Sequence, residues 1–164
     1  MRVTTASAAM MRWTALAAAL LLLFLCPLVL TQACAASCEK VVRSLNERLA
    51  PAIDERELVE VLRVLNRTQN KKLPAKFVSK QTAQARGWKP GKDLWSIAVL
   101  RGCSIGGDPF WNREERLPEK KWREADLDYK GGRRGPKRLV FSRDGARCVT
   151  VDHYRTFTEV LPCR

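Results

Sequence analysis

An acidic pattern between Trp122 and Tyr129 is the first feature of this sequence that could do chemistry. Every second position in the middle of the stretch is a carboxylate: Glu124, Asp126 and Asp128. The residues that alternate with them are apolar. A half-buried strand is therefore predicted, with its carboxylates on the face toward water.

Basic residues and the only histidine of the chain follow this stretch. The cations are Arg133, Arg134 and Arg138, and the histidine is His153. A carboxylate can remove a proton, an imidazole can supply one, and guanidinium groups can hold a phosphate. These groups suffice to cleave a phosphodiester without a metal, with a carboxylate as the base and the imidazole as the acid. The alternative is that Glu124 forms a surface ion pair and His153 is structural.

The cysteines indicate export and argue against a metal site. Four of the six would remain after removal of an N-terminal signal, and an even number predicts two disulfides. The remaining cysteines are Cys38, Cys103, Cys148 and Cys163. We favour the pairs Cys38–Cys163 and Cys103–Cys148, although the other pairings stay open. The cysteine spacings do not suit zinc, and one histidine cannot complete the usual ligand set, so no metal or other cofactor is expected.

Residues 1–36 are predicted to be a secretory signal peptide. Arg2 and Arg12 precede an uncharged run at 15–30, and small residues follow at 33–36. A basic start, an apolar centre and a small-residue cleavage site are typical of such signals. The run is short for a membrane span of roughly 20 residues, so a membrane anchor or a lipid anchor on Cys34 is less favoured. We expect cleavage after Ala35 or Ala36 and a secreted protein, extracellular or periplasmic, without stable membrane association.

The net charge of the chain is strongly positive. It is +13 at neutral pH, and loss of Arg2 and Arg12 with the signal leaves +11. Such a field attracts polyanions, with nucleic acids and anionic surfaces first among them. A simple solubility effect is the alternative, because charge identifies a class of partner and no particular chemistry.

The mature chain, residues 37–164, is expected to be one domain that begins with helices. Apolar residues at helical spacing predict two helices within 37–72, separated by Pro51, and Asp54 is a plausible cap for the second. A third short helix is predicted from Ser79 to Arg86, with Ser79 as its cap and Gly87 as its end.

Beyond Leu100 the apolar spacing changes to two, which predicts strands. Five are expected: 104–108, 122–129, 138–142, 147–151 and 155–160. Helices followed by strands indicate an α+β fold in which helices pack on a five-stranded antiparallel sheet. Residues 73–164 would hold the third helix and the sheet.

Several motifs in this region resemble one known family. They are Leu73-Pro74, Lys80 with Ala83-Gln84-Ala85 and Gly87-Trp88, Ser104-Ile105-Gly106-Gly107-Asp108, Asn112-Arg113-Glu114, Leu117-Pro118, Trp122-Arg123-Glu124-Ala125-Asp126 and Asp152-His153-Tyr154. In order and spacing they are similar to the barnase family, the small secreted guanyl-preferring ribonucleases of bacteria. The resemblance runs from about Leu58 to Val160, which is most of the mature chain.

The resemblance implies roles for individual residues. Glu124 would be the general base and His153 the general acid, while Arg134 and Arg138, assisted by Lys80, would hold the phosphate. The loop that reads guanine would consist of Phe110, Trp111, Asn112, Arg113 and Glu114, with Tyr154 beside the histidine. The two arginines are also expected to pair with the neighbouring carboxylates Asp126 and Asp128.

The sequence departs from the family at the loop. Trp111 stands where better-known members carry serine, and its ring would either pack under the loop or stack on a base. The strength of the guanine preference depends on which of these holds. Arg133 also adds a cation beside the phosphate site.

These observations predict a metal-independent endoribonuclease that cleaves single-stranded RNA after guanosine. The expected products are a 2′,3′-cyclic phosphate and then a 3′-phosphate. RNA is the expected substrate, an acidic barstar-like intracellular inhibitor the expected protein partner, and a monomer the expected state. The alternatives are an exported polyanion-binding module that does not turn over, and the same nuclease used as a toxin against other cells.

Overall fold

Two amphipathic helices begin the part of the chain that the computed structural model describes, residues 35–164, which form one compact unit. Helix α1 spans Cys38–Asn46, and helix α2 spans Glu55–Arg67. The Asp54 carboxylate accepts a hydrogen bond from the Glu57 N–H at 3.0 Å, so the expected cap of α2 is confirmed. The buried stripe of α2 consists of Leu58, Val59, Val61, Leu62 and Leu65.

The expected signal peptide lies outside the described residues, except for its last two positions. Within residues 35–164, none of the helices is both long enough and apolar enough to cross a bilayer.

Helix α3 spans Lys80–Ala85 and matches the prediction at both ends. The Ser79 hydroxyl accepts a hydrogen bond from the Thr82 N–H at 3.0 Å. Gly87 follows with φ +96, a left-handed conformation that glycine adopts without strain and that ends the helix. Two single 3₁₀ turns, Leu94–Ser96 and Ala98–Leu100, lead from α3 to the sheet.

The sheet contains six strands in chain order. They are β1 (Phe77–Val78), β2 (Ser104–Pro109), β3 (Arg123–Asp126), β4 (Arg138–Phe141), β5 (Arg147–Thr150) and β6 (Thr158–Glu159). Strands β2 to β6 pair antiparallel, which confirms the α+β class and the five-stranded antiparallel sheet. Strand β1 pairs parallel with β2 and was not predicted, because two residues are too few to show a period.

The two faces of the sheet are covered by different parts of the chain. Leu139 and Phe141 of β4 point toward α1 and α2 and share one apolar core with them. Val140, on the opposite face, packs with Trp122 and Leu117. Because side chains alternate along a strand, Arg138 also belongs to this second face, away from the helices.

Strand β3 is shorter than predicted, and its acidic face is not open to water. The strand ends at Asp126, and Asp128 beyond it has φ +57, so Asp128 leaves the strand. Glu124 and Asp126 are 6% and 2% exposed. The prediction of a water-facing carboxylate row was therefore wrong, because Lys80 and Tyr154 cover Glu124, and two arginines cover Asp126.

One of the two favoured disulfides is formed. Cys38 is bonded to Cys163, which joins the start of α1 to the end of the chain, as expected for an exported protein. Cys103 and Cys148 are free thiols, so the second pairing was wrong. Cys103 precedes β2 and Cys148 lies in β5. Three strand spacings of about 4.8 Å separate them, beyond the reach of a disulfide.

Candidate active site

Glu124 lies at the centre of a charged groove on the face of the sheet away from α1 and α2. It is the second residue of β3 and pairs in register with Val140 of β4. One carboxylate oxygen accepts a hydrogen bond from the Lys80 ammonium at 2.7 Å, and the other accepts one from the Tyr154 hydroxyl at 2.7 Å. A carboxylate has about four acceptor positions, so Glu124 can accept a hydrogen bond from one more donor.

Lys80 reaches Glu124 because of the way helix α3 begins. The Lys80 N–H donates to the Asp108 carboxylate at 2.9 Å, which ties the first turn of α3 to the end of β2. Asp108 follows a bulge in which Gly107 has φ +93. The bulge locally turns the strand, and a glycine permits this conformation without strain.

Asp126 holds both of the predicted phosphate-binding arginines. The Arg134 Nη2 donates to its Oδ1 at 2.7 Å, and Arg138 Nε lies 2.9 Å from the same carboxylate oxygen. Burial would lower the pKa of Arg134, but the hydrogen bond and charge of Asp126 outweigh it and raise this pKa. The expected pairing with Asp126 is thus present, whereas Asp128 pairs with Lys137 instead.

His153 lies in a tight turn that follows β5. His153 and Tyr154 have φ values of +62 and +68, so two successive side chains adopt the left-handed conformation. The Asp152 carboxylate braces the turn by accepting hydrogen bonds from Thr150, Arg155 and Thr156. The His153 N–H donates to the Pro136 carbonyl at 3.3 Å, and the imidazole itself is exposed.

The bracing bonds also perturb the acidity of Asp152. Burial would raise its pKa, but the hydrogen bonds from Thr156, Thr150 and Arg155 favour the ionised form and lower the pKa to about 2. Asp152 therefore remains a carboxylate at any pH at which the protein would work, and the turn keeps its shape.

Tyr154 connects the histidine turn to the groove. Its ring lies 5.3 Å from the His153 ring, and its hydroxyl donates to Glu124 while accepting from Arg138 Nε at 3.1 Å. Burial is the main cause that raises the pKa of Tyr154, and the Glu124 carboxylate adds to it. The hydroxyl therefore stays protonated and acts as a donor. The structure brings Glu124, Arg138, Tyr154 and His153 together.

The predicted base-reading loop lines a cavity of about 370 Å³ next to Glu124. All five loop residues contribute: Phe110, Trp111, Asn112, Arg113 and Glu114. The Asn112 side chain fixes the loop by accepting from the Leu117 N–H at 3.1 Å and donating to the Leu117 carbonyl at 2.6 Å. The Phe110 and Tyr154 rings stack with their centroids 5.2 Å apart, which joins the loop to the candidate catalytic groups.

Glu114, the expected guanine acceptor, is largely exposed and already has a partner. Arg116 Nε donates to its carboxylate at 2.6 Å, and Arg116 Nη1 donates to the Arg155 carbonyl at 2.7 Å. Arg116 therefore links the loop to the turn that carries His153. A base that binds Glu114 must share or displace this ion pair.

Sequence reasoning missed Arg116 and the positioning role of Asp108. Asp108 ends the motif 104–108, so the resemblance contained a signal for it. Arg116 had no such signal, because the carbonyl it binds is 39 residues away along the chain. Among residues 35–164, no group of three histidine, cysteine or acidic side chains is placed to hold a metal.

Helices on one face of an antiparallel sheet, and a charged groove on the other, define a class of small basic α+β domains. Within this class the chain belongs to the ribonuclease family, whose model matches residues 63–161, more than half of the chain. All of the candidate site residues lie inside this range.

Individual relatives agree with the family match. Ribonucleases of Bacillus intermedius and Bacillus pumilus are each 46% identical over 93 residues, which cover 55% of this chain and 57% of theirs. A ribonuclease of Heyndrickxia coagulans is 45% identical over 93 residues, which cover 84% of its length. The chain thus spans a little over half the length of the two Bacillus relatives. Helix α1 precedes the range that the family model matches.

Proposed function

We propose that this protein is an endoribonuclease that cleaves single-stranded RNA without a metal, preferentially after guanosine. The observation that supports the proposal is that Tyr154 joins Glu124 and Arg138 by hydrogen bonds beside the loop cavity, while the exposed His153 ring lies next to the Tyr154 ring. Family membership supports the same activity.

The first step is an attack by the ribose 2′-oxygen on the adjacent phosphorus. Glu124 accepts the 2′-hydroxyl proton as the new P–O bond forms, and His153 donates a proton to the departing 5′-oxygen. The products are a 2′,3′-cyclic phosphate and a free 5′-hydroxyl. DNA has no 2′-hydroxyl and is not cleaved by this route.

The second step hydrolyses the cyclic phosphate with the roles reversed. His153, now neutral, removes a proton from water, and Glu124 returns its proton to the 2′-oxygen. In both steps negative charge grows on the non-bridging phosphate oxygens. Arg134 and Arg138 are suited to stabilise it because Asp126 fixes two permanently charged guanidiniums beside Glu124.

The guanine preference rests on the chemistry of the loop cavity. Guanine carries an N1–H and an amino group that suit the Glu114 carboxylate, and an O6 that suits backbone N–H donors of the loop. Phe110 and Trp111 supply aromatic faces in the same cavity.

Replacement of the two proton-transfer groups tests the function. We expect Glu124→Gln and His153→Ala each to lower kcat for cleavage of a guanosine-containing oligonucleotide by roughly 10²–10⁴-fold. The assay is run in excess chelator, with product ends identified as cyclic or 3′-phosphate.

Lys137→Ala, at an ion pair outside the groove, is the control and should retain activity. Full activity in either variant would overturn the mechanism, and loss of wild-type cleavage in chelator would overturn its metal independence. Binding of RNA and DNA alike without products would indicate a polyanion-binding module instead.

A further inference from the structure

Trp111 exposes a large aromatic surface that the fold does not use. It is 74% exposed, and among residues 35–164 the other exposed large hydrophobic residues, Val99 and Leu161, are aliphatic. The alternative that Trp111 packs under the loop is therefore wrong, because Phe110 occupies that position against Tyr154 and Phe157. An exposed indole at the rim of a binding groove indicates contact with a ligand.

The loop backbone fixes where the indole stands. Asn112, the next residue, has φ +40 and is held to Leu117 by two hydrogen bonds through its side chain. Trp111 and Asn112 line two cavities. The one beside Glu124 described above is called the inner cavity, and the one lined also by Glu115, Glu119 and Lys120 is called the outer cavity.

The outer cavity has a volume of about 520 Å³ and a chemistry that suits a nucleobase. It is lined by Trp111, Asn112, Glu115, Leu117, Glu119 and Lys120. The indole offers a stacking surface that accepts any base. The two carboxylates disfavour a phosphate in this place, but they can accept hydrogen bonds from the amino groups of a base.

The position of the cavity identifies which nucleotide it would hold. The inner cavity contains Lys80, Glu124 and Tyr154, the groups around the scissile phosphate, whereas the outer cavity contains none of these three. The nucleotide 3′ to the guanosine is joined to the scissile phosphate and should lie near these three groups, so a base in the outer cavity is better assigned to the other neighbour of the guanosine. That base belongs to the nucleotide on the 5′ side.

We propose that Trp111 and the outer cavity form a second nucleobase subsite, which binds the nucleotide 5′ to the guanosine. This inference deepens the proposed function and rests on it for the position of the guanosine. Stacking on one aromatic side chain is worth roughly 1–3 kcal/mol per base, so the subsite should favour longer substrates.

The test compares three substrates that share one cleavable bond: GpA, its 5′-extended form ApGpA and its 3′-extended form GpApA. We expect the ratio of kcat/KM for ApGpA over GpA to be above one in the wild type and to fall by about five- to 150-fold in Trp111→Ala. The ratio of kcat/KM for GpApA over GpA should be the same in Trp111→Ala as in the wild type. Trp111→Phe keeps an aromatic ring and should retain most of the increase in kcat/KM from GpA to ApGpA. The control Val99→Ala should retain all of this increase.

A second readout separates failure of the subsite from failure of the proposed function. The Kd of the deoxy trinucleotide dA-dG-dA, which lacks the attacking hydroxyl, is measured for the same variants and should rise by a similar factor in Trp111→Ala. The subsite is overturned if Trp111→Ala leaves both this Kd and the ratio of kcat/KM for ApGpA over GpA unchanged. It is also overturned if Trp111→Ala lowers the ratio of kcat/KM for GpApA over GpA. Absence of any cleavage by the wild type would overturn the function alone, since the Kd still reports on the subsite.

Discussion

At the scale of single residues, Tyr154 connects the other candidate site residues of the groove to one another. Its hydroxyl lies between the Arg138 guanidinium and the Glu124 carboxylate, and its ring lies beside His153. A hydrogen bond to a charged group contributes about 1.5–3 kcal/mol. The Tyr154 hydroxyl donates directly to Glu124, the proposed base, so loss of the hydroxyl should change how Glu124 is held and not only the packing around it.

Tyr154→Phe should lower kcat for RNA cleavage by about tenfold or more, because Glu124 loses a fixed donor while the ring and its stacking remain. The measurement is kcat and KM on a guanosine-containing dinucleotide, together with the melting temperature.

Tyr129→Phe is the matched control. Tyr129, the other tyrosine of the chain, binds Leu94 and Asp93 away from the groove. Loss of the Tyr129 hydroxyl should lower the melting temperature and leave kcat unchanged. Equal effects on kcat from both variants would contradict the role of Tyr154.

At the scale of elements, the turn at 152–156 shows how a few hydrogen bonds position His153, the proposed general acid. Two left-handed residues, His153 and Tyr154, are unfavourable for side chains that have a Cβ. The Asp152 carboxylate offsets this cost by accepting bonds from Thr150, Arg155 and Thr156. The orientation of His153 therefore depends on the Asp152 carboxylate, whose hydrogen-bond partners all lie in and next to this turn.

Asp152→Asn should lower the free energy of unfolding at neutral pH, and its difference from the wild type should shrink as the pH falls from about 4 to about 2. A carboxyl whose folded pKa of about 2 lies below its ordinary value of 3.8 stabilises the fold above that ordinary value. The stabilisation disappears as the pH falls through the folded pKa. Urea unfolding across this range measures the effect.

Asp144→Asn is the control for this prediction. Hydrogen bonds from Lys120 and Ser142 lower the pKa of Asp144 to about 2 as well, so its acid dependence should be similar. Asp144 lies in the turn between β4 and β5, and kcat should be retained in this variant. Asp152→Asn should lower kcat because His153 is released. A normal kcat in Asp152→Asn would contradict the positioning role.

Helix α1 is attached to the rest of the fold by the bond between Cys38 and Cys163, which closes a segment of 125 residues. The double variant Cys38→Ser/Cys163→Ser should lose roughly 2–5 kcal/mol of unfolding free energy, because its unfolded state is no longer cross-linked. Activity below the unfolding transition should persist, since α1 does not line the groove. Cys103→Ser is the comparison, and an equal loss there would show that the cross-link is not the cause.

At the scale of the whole molecule, the excess positive charge acts on the RNA chain as a whole. The residues described carry a net charge of +11, because Arg2 and Arg12 lie outside them. Each neutralised phosphate of a single strand releases about 0.7 counterion, so affinity falls as salt rises. The charge should thus speed capture of polymeric RNA without selecting a sequence.

The logarithm of kcat/KM should fall linearly with the logarithm of salt concentration, and several-fold more steeply for polymeric RNA than for GpA. The polymer displaces many counterions and the dinucleotide has one phosphate. Rates measured between 50 mM and 300 mM salt would test this. Equal slopes for the two substrates would show that the charge outside the groove makes no contribution to capture.

The sequence by itself determined the helices, their caps and the approximate positions of strands β2 to β6. Asp54 and Ser79 cap helices where local spacing predicted them, because capping bonds join residues three apart. The family resemblance also pointed to Glu124, His153 and the arginines. Local patterns and motifs carry this information because they depend on neighbours along the chain.

Only the tertiary structure decided what those residues contact. It buried Glu124 and Asp126 where a water-facing row was predicted, left Cys103 and Cys148 unpaired, and exposed Trp111. It also brought Arg116 to the Arg155 carbonyl. Each outcome depends on segments far apart in sequence that pack on one sheet, and the periodicity of a single strand contains no information about what covers its face.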